Sequence, residues 1–328
     1  MKISRTIIII AGILGCCLIV FCVLVIGGIV LSKYLFPEQK ICYQITGPTQ
    51  RNLTDLADDS TDYQFHVLYV VPKDGVDHQY DTNGAIALSV SSWQNWLCNQ
   101  TNGQYLKLDT SNGVLDITFV RLNSTNNEIE SGSELPYSGV DPNYNPYVVN
   151  DLWIQLNDLG YREPNKIYAV YYDGSSNYSC GGGGRPFNVA VEIMQGGDPS
   201  FGPDAMCDSV HLTTDIRYPS NMEFGMIHEL IHGLGFAPQC SPHYTGYLGE
   251  RRGSLDENIL QGHVSDGNYD LMYTGDDTWM TGPGMVLDKN HDDYYDTNIP
   301  GCLDLKKSAF LVNGGSELPP YWGTEFGY

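Results

Sequence analysis

The chain has few basic residues for its size. Its 328 residues include 17 Lys and Arg against 39 Asp and Glu, and the formal net charge is −22 at pH 7. An acidic surface repels the phosphate backbone of DNA and RNA. The charge balance therefore excludes nucleic acid as a partner.

Several metal and phosphate motifs are also missing. No C-x-x-C pair occurs, which excludes the usual cysteine zinc cluster. The glycine run at 180–186, "CGGGGRP", lacks the strand, helix and lysine of a phosphate-binding loop, so it is predicted to be a flexible loop. The acidic stretches Gly275–Asp277 and His291–Asp296 do not match an EF-hand. Both are expected to be solvated loops, with Ca²⁺ binding as the alternative.

A long apolar run begins the chain. Thr6 to Leu31 contains no charged residue, and as a helix its 26 residues would exceed the ~30 Å hydrocarbon layer of a bilayer. No A-x-A-like cleavage site follows. The sequence predicts a cytoplasmic tip and single membrane anchor at 1–40, a stalk at 41–62, and an extracellular domain at 63–328. Secretion after signal cleavage is the alternative.

Six cysteines lie outside the apolar run. An even number in an exported domain predicts three disulfides, for which 15 connectivities are possible. The six are Cys42, Cys98, Cys180, Cys207, Cys240 and Cys302.

Alternating strand and helix patterns run through the first two thirds of the domain. They give the order β-α-β-α-β-β-α, which predicts an α/β fold with a mostly parallel sheet. No internal linker is evident after residue 63. The predicted strands are 65–71, 113–122, 166–174 and 187–195, and the predicted helices are 85–97, 147–160 and 222–234.

The last of these helices contains the sequence His228-Glu229-x-x-His232. Residues four apart share one helix face, so both imidazoles can reach one ion. A zinc ion held in this way activates a water and polarises a carbonyl group. Glu229 is expected to be the general base. A separate face of the same helix is apolar and is expected to pack into the core; it carries Met222, Met226, Leu230 and Leu234.

Two further signals follow the motif. Gly235 lies where the helix must end, and glycine accepts the left-handed conformation of such a turn. Met272 lies within D-L-M-Y, about 40 residues after the helix. Together, H-E-L-I-H-G-L-G and D-L-M-Y resemble the metzincin clan of zinc metallopeptidases.

This resemblance implies a metzincin-like zincin of the α+β type. The expected features are a twisted, mostly parallel sheet with an antiparallel edge strand, an active-site helix within 63–235, and an irregular C-terminal part at 236–328. Residues 187–195 fall where the antiparallel strand would lie. Met272 would form a hydrophobic floor below the zinc.

The third zinc ligand departs from the usual metzincin pattern, because Pro238 occupies its position. Leishmanolysin-like metzincins carry an insertion here, and their third histidine comes shortly before the methionine turn. By this resemblance His263 is the expected ligand and His243 is the alternative. Asp266 is a poorer choice, since two imidazoles are available.

The expected function is that of a zinc-dependent endopeptidase with a protein or peptide substrate. One alternative is a catalytically silent binding or adhesion module that retains the fold. Another is a zinc hydrolase that acts on other bonds. The intact Glu229 favours an enzyme, and the sequence does not indicate an oligomeric state.

Overall fold

The computed structural model describes residues 40–131, 148–176, 180–184, 188–195, 212–245, 262–267, 269–273, 284–319 and 322. The chain divides into two compact units, Met1–Lys40 and Ile41–Tyr328, and the fold described below belongs to the second.

The second unit begins with alternating strands and helices and continues with shorter elements. In chain order the elements are β1 (Gln64–Val71), α1 (Ala85–Gln100), β2 (Thr110–Ser111), β3 (Val114–Leu115), β4 (Ile117–Arg121), α2 (Asn126–Ser131), α3 (Val148–Asp158), β5 (Lys166–Ser175), β6 (Gly181–Gly184), β7 (Val189–Gln195), α4 (Asn221–Gly233), β8 (Tyr244–Thr245) and β9 (His263–Val264), with short 3-10 turns at Lys289–His291 and Leu305–Lys307.

Five strands form the main sheet in the order β4-β1-β5-β7-β6. The first four are parallel, and β6 pairs antiparallel to β7 at the edge. Strand β1 is buried along its whole length, as expected for a strand covered on both faces. The predicted fold class, a mostly parallel sheet with an antiparallel edge strand, is confirmed.

The position predicted for the antiparallel strand is wrong. Residues 187–195 correspond to β7, which runs parallel to β5, and the antiparallel strand is the glycine run that was predicted to be a loop. Glycine is unfavourable in most strands. Here it is required, because a Cβ atom on Gly183 would lie 2.3 Å from the carbonyl oxygen of Glu229 in α4. The bare backbone lets the edge strand pass directly against that helix.

Helices cover both faces of the sheet. One face packs against α1 and α4, with Trp93, Met226 and Leu230 in its core. The other packs against α3, with Leu152 and Leu156 in a separate cluster. Helix α4 thus packs against the sheet along β6 and β7.

Helix α4 has defined ends. Ser220 and Glu223 form a reciprocal capping box at its start, as their side chains satisfy backbone N–H groups of the first turn. The predicted glycine turn is confirmed, since Gly235 has a φ of +90° and its N–H donates to the carbonyl of His232 at 2.9 Å. The chain therefore reverses directly after the second histidine.

Two disulfides connect distant segments, Cys42–Cys98 and Cys240–Cys302. Cys180 is also disulfide-bonded, and Cys207 lies outside the described residues. The prediction of disulfides is confirmed for the described cysteines, which are Cys42, Cys98, Cys180, Cys240 and Cys302.

Residues 41–62 contact the domain. The backbone N–H of Leu56, for example, donates to the buried carboxylate of Asp116 at 2.7 Å. The division of the chain at residues 40, 62 and 235 stays a prediction.

The membrane-anchored localisation requires correction. Among the described residues, no helix is both long enough and apolar enough to cross a bilayer. The predicted anchor, residues 6–31, lies outside the described residues. That prediction depended on the hydropathy of the run and on the lack of a cleavage site after it, and the single-anchor localisation is withdrawn.

Candidate metal centre

Three buried histidines converge beside the sheet. His228 and His232 come from one face of α4, and His263 comes from β9. The Nε2 atoms of His228 and His232 lie 3.0 Å apart. Each of them lies 3.2 Å from Nε2 of His263. A tetrahedral zinc site with Zn–N distances of about 2.0–2.1 Å separates its ligand nitrogens by about 3.3 Å. The three nitrogens therefore have nearly the spacing that one such ion requires.

The opposite ring nitrogens fix the orientation of the two helix histidines. Nδ1 of His228 lies 2.7 Å from the carbonyl oxygen of Leu271, and Nδ1 of His232 lies 2.9 Å from that of Phe236. A carbonyl oxygen only accepts, so both Nδ1 atoms carry the proton and both Nε2 atoms carry a lone pair. Two lone pairs then face each other at 3.0 Å, an arrangement that a cation would stabilise.

The protonation states of these rings also fit a metal. Burial lowers the pKa of His228 to about 4, despite the hydrogen bond to Leu271. Burial, together with the neighbouring rings, lowers the pKa values of His232 and His263 well below the usual range. All three rings are neutral at pH 7, and the neutral imidazole is the form that binds metals. This donor set could hold a metal ion.

Glu229 follows His228 in α4 and is 9% exposed. Burial raises the pKa of its carboxyl group to about 8, and a hydrogen bond from the backbone N–H of Gly183 acts in the opposite direction. A cation in the histidine cluster would also favour the ionised carboxylate. The edge strand β6 thus holds the predicted general base from one side.

Met272 is fully buried and lies in the segment that follows β9 in the chain. Its carbonyl oxygen accepts from the N–H of Val264 at 2.9 Å, beside His263. The preceding residue, Leu271, accepts from His228. The methionine segment therefore contacts both α4 and β9, the two elements that carry the three histidines.

Asp270 organises this segment and was not predicted from the sequence. Its fully buried carboxylate accepts from the N–H of Met272 at 2.8 Å, the N–H of Lys289 at 2.7 Å and the hydroxyl of Tyr294 at 2.8 Å. Burial raises the pKa of Asp270 to about 7. The position of an acid two residues before Met272 was the available signal, and sequence alone does not show that it is buried.

His243 does not join the three-histidine cluster. Its Nδ1 lies 3.1 Å from a carboxylate oxygen of the buried Asp293, in a group that also contains Asp266 and Asp292. This group could hold a metal ion, and it includes part of the acidic stretch considered for Ca²⁺. The other stretch, Gly275–Asp277, lies outside the described residues. The structure thus separates His243 from His263 into different sites.

Comparisons with known proteins found similarity to solved structures at low sequence identity. No family model and no curated protein matches the chain. Among solved structures, wild-type OgpA from Akkermansia muciniphila aligns at 16% identity and a TM-score of 0.31, covering 56% of this chain and 51% of that one. Catalytically inactive OgpA from the same organism, in complex with the O-glycopeptide substrate glycodrosocin, aligns at 15% identity and a TM-score of 0.32. This alignment covers 59% of this chain and 53% of that one. The chain spans about half the length of these structures, and similarity this low supports no conclusion about function.

Proposed function

We propose that the protein is a zinc-dependent endopeptidase of metzincin type. His228, His232 and His263 would hold the ion, and Glu229 would be the general base. The observation that carries the proposal is the convergence of three neutral imidazole nitrogens within 3.2 Å of one another, two of them on the helix that also carries the buried Glu229.

When bound, zinc would supply Lewis-acid polarisation of the scissile carbonyl and of the attacking water. The protein's own groups would carry the proton. Glu229, held by the N–H of Gly183, would accept a proton from the attacking water and deliver it to the leaving amine. The carbonyl groups of Leu271 and Phe236 would keep His228 and His232 in one tautomer and orientation.

The edge of the sheet would bind the substrate. Strand β6 is the last strand of the main sheet, and it lies against α4 at Glu229. An extended peptide could add to such an edge through main-chain hydrogen bonds. This arrangement favours hydrolysis within an extended polypeptide, as opposed to a compact non-peptide substrate.

The test compares the purified protein with Glu229→Gln on a denatured protein substrate. Glu229→Gln retains the size of the side chain and removes its basicity. The wild type should cleave, whereas Glu229→Gln and the chelated wild type should each lose at least about 100-fold in rate, as expected for a lost general base. Retention of bound metal in Glu229→Gln separates a loss of chemistry from a loss of the ion. Cleavage that is independent of Glu229 would contradict the proposal, and a metal-loaded protein that cleaves nothing would favour the binding module.

A further inference from the structure

A second glutamate is buried beneath the proposed active-site helix. Glu192 belongs to β7, is 2% exposed, and points to the face of the sheet that packs against α4. Its Oε2 atom is inaccessible to solvent and has no hydrogen-bond partner among the described residues. Buried carboxyl groups are rare without a partner, because burial of an unpaired charge is costly.

Two glycines make the space for this carboxyl group. A Cβ atom on Gly225, inside α4, would lie 2.7 Å from both carboxyl oxygens of Glu192. A Cβ atom on Gly181, in β6, would lie 2.9 Å from Oε2. Glycine is less favourable than alanine within a helix, and here Gly225 provides room for Glu192. Both the helix and the edge strand thus have a glycine where they approach the Glu192 carboxyl group.

The same space borders the proposed general base. The point that a Cβ atom on Gly181 would occupy lies 2.9 Å from Oε2 of Glu192 and 3.4 Å from Cγ of Glu229. The two glutamate side chains therefore lie close together beside Gly181, and we call the packed region between Glu192, Glu229, Gly181 and Gly225 the glutamate chamber.

Among the described residues, the charged groups that act on Glu192 are acids. Burial raises its pKa well above the usual range, and the negative charges of Glu229 and Glu223 in α4 raise it further. From β5 the nearby titratable group is the buried Tyr171, whose own pKa Glu192 helps to raise. Two carboxylates in one low-dielectric chamber disfavour joint ionisation.

We propose that Glu192 is a positioning residue for the general base: a neutral, buried carboxylic acid that fills the glutamate chamber and gives Glu229 an uncharged neighbour. This inference rests on the proposed function. In its neutral form Glu192 keeps the floor of the chamber filled without adding a second negative charge beside Glu229. The role requires the shape and neutrality of the side chain, and it does not require its ionisation.

The test uses the full chain with Glu192→Gln and Glu192→Ala. Glutamine matches the size and neutrality of the protonated acid, so kcat should stay within about threefold of the wild type. Alanine leaves the chamber unfilled, so kcat should fall by at least about tenfold while KM changes little. Both variants should retain bound metal. Equal loss of kcat in the two variants would overturn the proposal, because it would show a need for the carboxylate anion; full activity in both would overturn it as well.

A second readout does not depend on activity. Infrared difference spectra of the wild type minus Glu192→Gln at neutral pH should contain the carbonyl-stretch band of a protonated carboxyl group. The same spectra with Glu128→Gln, an exposed glutamate in α2, should contain the bands of a carboxylate. Absence of the protonated band at Glu192 would overturn the proposal even if the protein proved not to be a peptidase. Failure of the inference and failure of the proposed function are thereby distinguished.

Discussion

Nδ1 of His228 lies 2.7 Å from the carbonyl oxygen of Leu271, 43 residues further along the chain. This contact joins the first histidine of the candidate centre to the segment that contains Met272. The orientation of His228 therefore depends on how that segment is held, and Asp270 holds it through the N–H of Met272. The orientation of this candidate ligand and the fold of the C-terminal part are linked at this point.

Replacement of Asp270 by Asn should weaken the methionine segment. The carboxylate accepts from two backbone N–H groups and from the hydroxyl of Tyr294, and an amide would turn donor hydrogens toward some of these donors. The free energy of unfolding should fall by roughly 1–3 kcal/mol, as measured by urea denaturation. Asp296→Asn, which removes a half-exposed ion pair with Lys306, is the control and should cost at most about 1 kcal/mol. Similar losses in the two variants would contradict the role of Asp270.

The same carboxyl group should make stability depend on pH. Burial raises the pKa of Asp270 to about 7 and that of Asp288 to about 6, both above the value of about 3.9 in an unfolded chain. Because the pKa of each group is raised in the folded state, its protonated form stabilises the fold. This contribution to the free energy of unfolding is complete below about pH 4 and is lost as the pH rises through 6 to 7. The unfolding free energy of Asp270→Asn should therefore fall less steeply between pH 5 and 8 than that of the wild type. Parallel curves would show that Asp270 does not titrate in this range.

A buried ion cluster holds residues 55–58 against the sheet. Nζ of Lys166, in a side chain that is 1% exposed, lies 2.6 Å from Asp55, 3.0 Å from Asp58 and 2.8 Å from the buried Asp109. Lys166→Met would leave these carboxylates without their ammonium partner and should lower the free energy of unfolding by about 3–5 kcal/mol. Lys107→Met removes a lysine whose partner, Asp62, is 66% exposed, and should cost at most about 1 kcal/mol. The urea midpoints of the two variants give the comparison, and an equal shift would refute the clustered role of Lys166.

The close approach of β6 to α4 should not tolerate a methyl group. Gly183→Ala places a Cβ atom 2.3 Å from the carbonyl oxygen of Glu229 and should lower the free energy of unfolding by roughly 1–3 kcal/mol. Gly233→Ala is the matched control in α4, because its Cβ atom would make an ordinary 3.6 Å contact with Ile167. Alanine is the better helix former there, so this variant should gain up to about 1 kcal/mol. Thermal unfolding of the two proteins checks the opposite signs.

The sequence predicts the elements with strong periodicity and local chemistry. The strands that became β1, β5 and β7, the helix α4 and the turn at Gly235 were all predictable, because burial and capping leave a pattern within a few residues. Strand β6 was missed because four glycines have no side-chain pattern. Its identity as a strand depends on β7 and α4, which lie elsewhere in the chain.

The candidate site likewise has one part that could be predicted from the sequence and one part that could not. The spacing of His228, Glu229 and His232 is local and could be predicted. The choice between His243 and His263 depended on a resemblance, since no local pattern separates two loop histidines. The sequence could not predict that Glu192 lies near Glu229, because its burial against Gly225 depends on how the helix packs on the sheet.

The metal content of three proteins tests the central claim most directly. Mass spectrometry for metals should find about one zinc per chain in the wild type and in His243→Ala, and much less than one in His263→Ala. His263 belongs to the converging cluster, whereas His243 pairs with Asp293. Loss of zinc from His243→Ala with retention in His263→Ala would contradict this account, as would a wild type that binds no zinc.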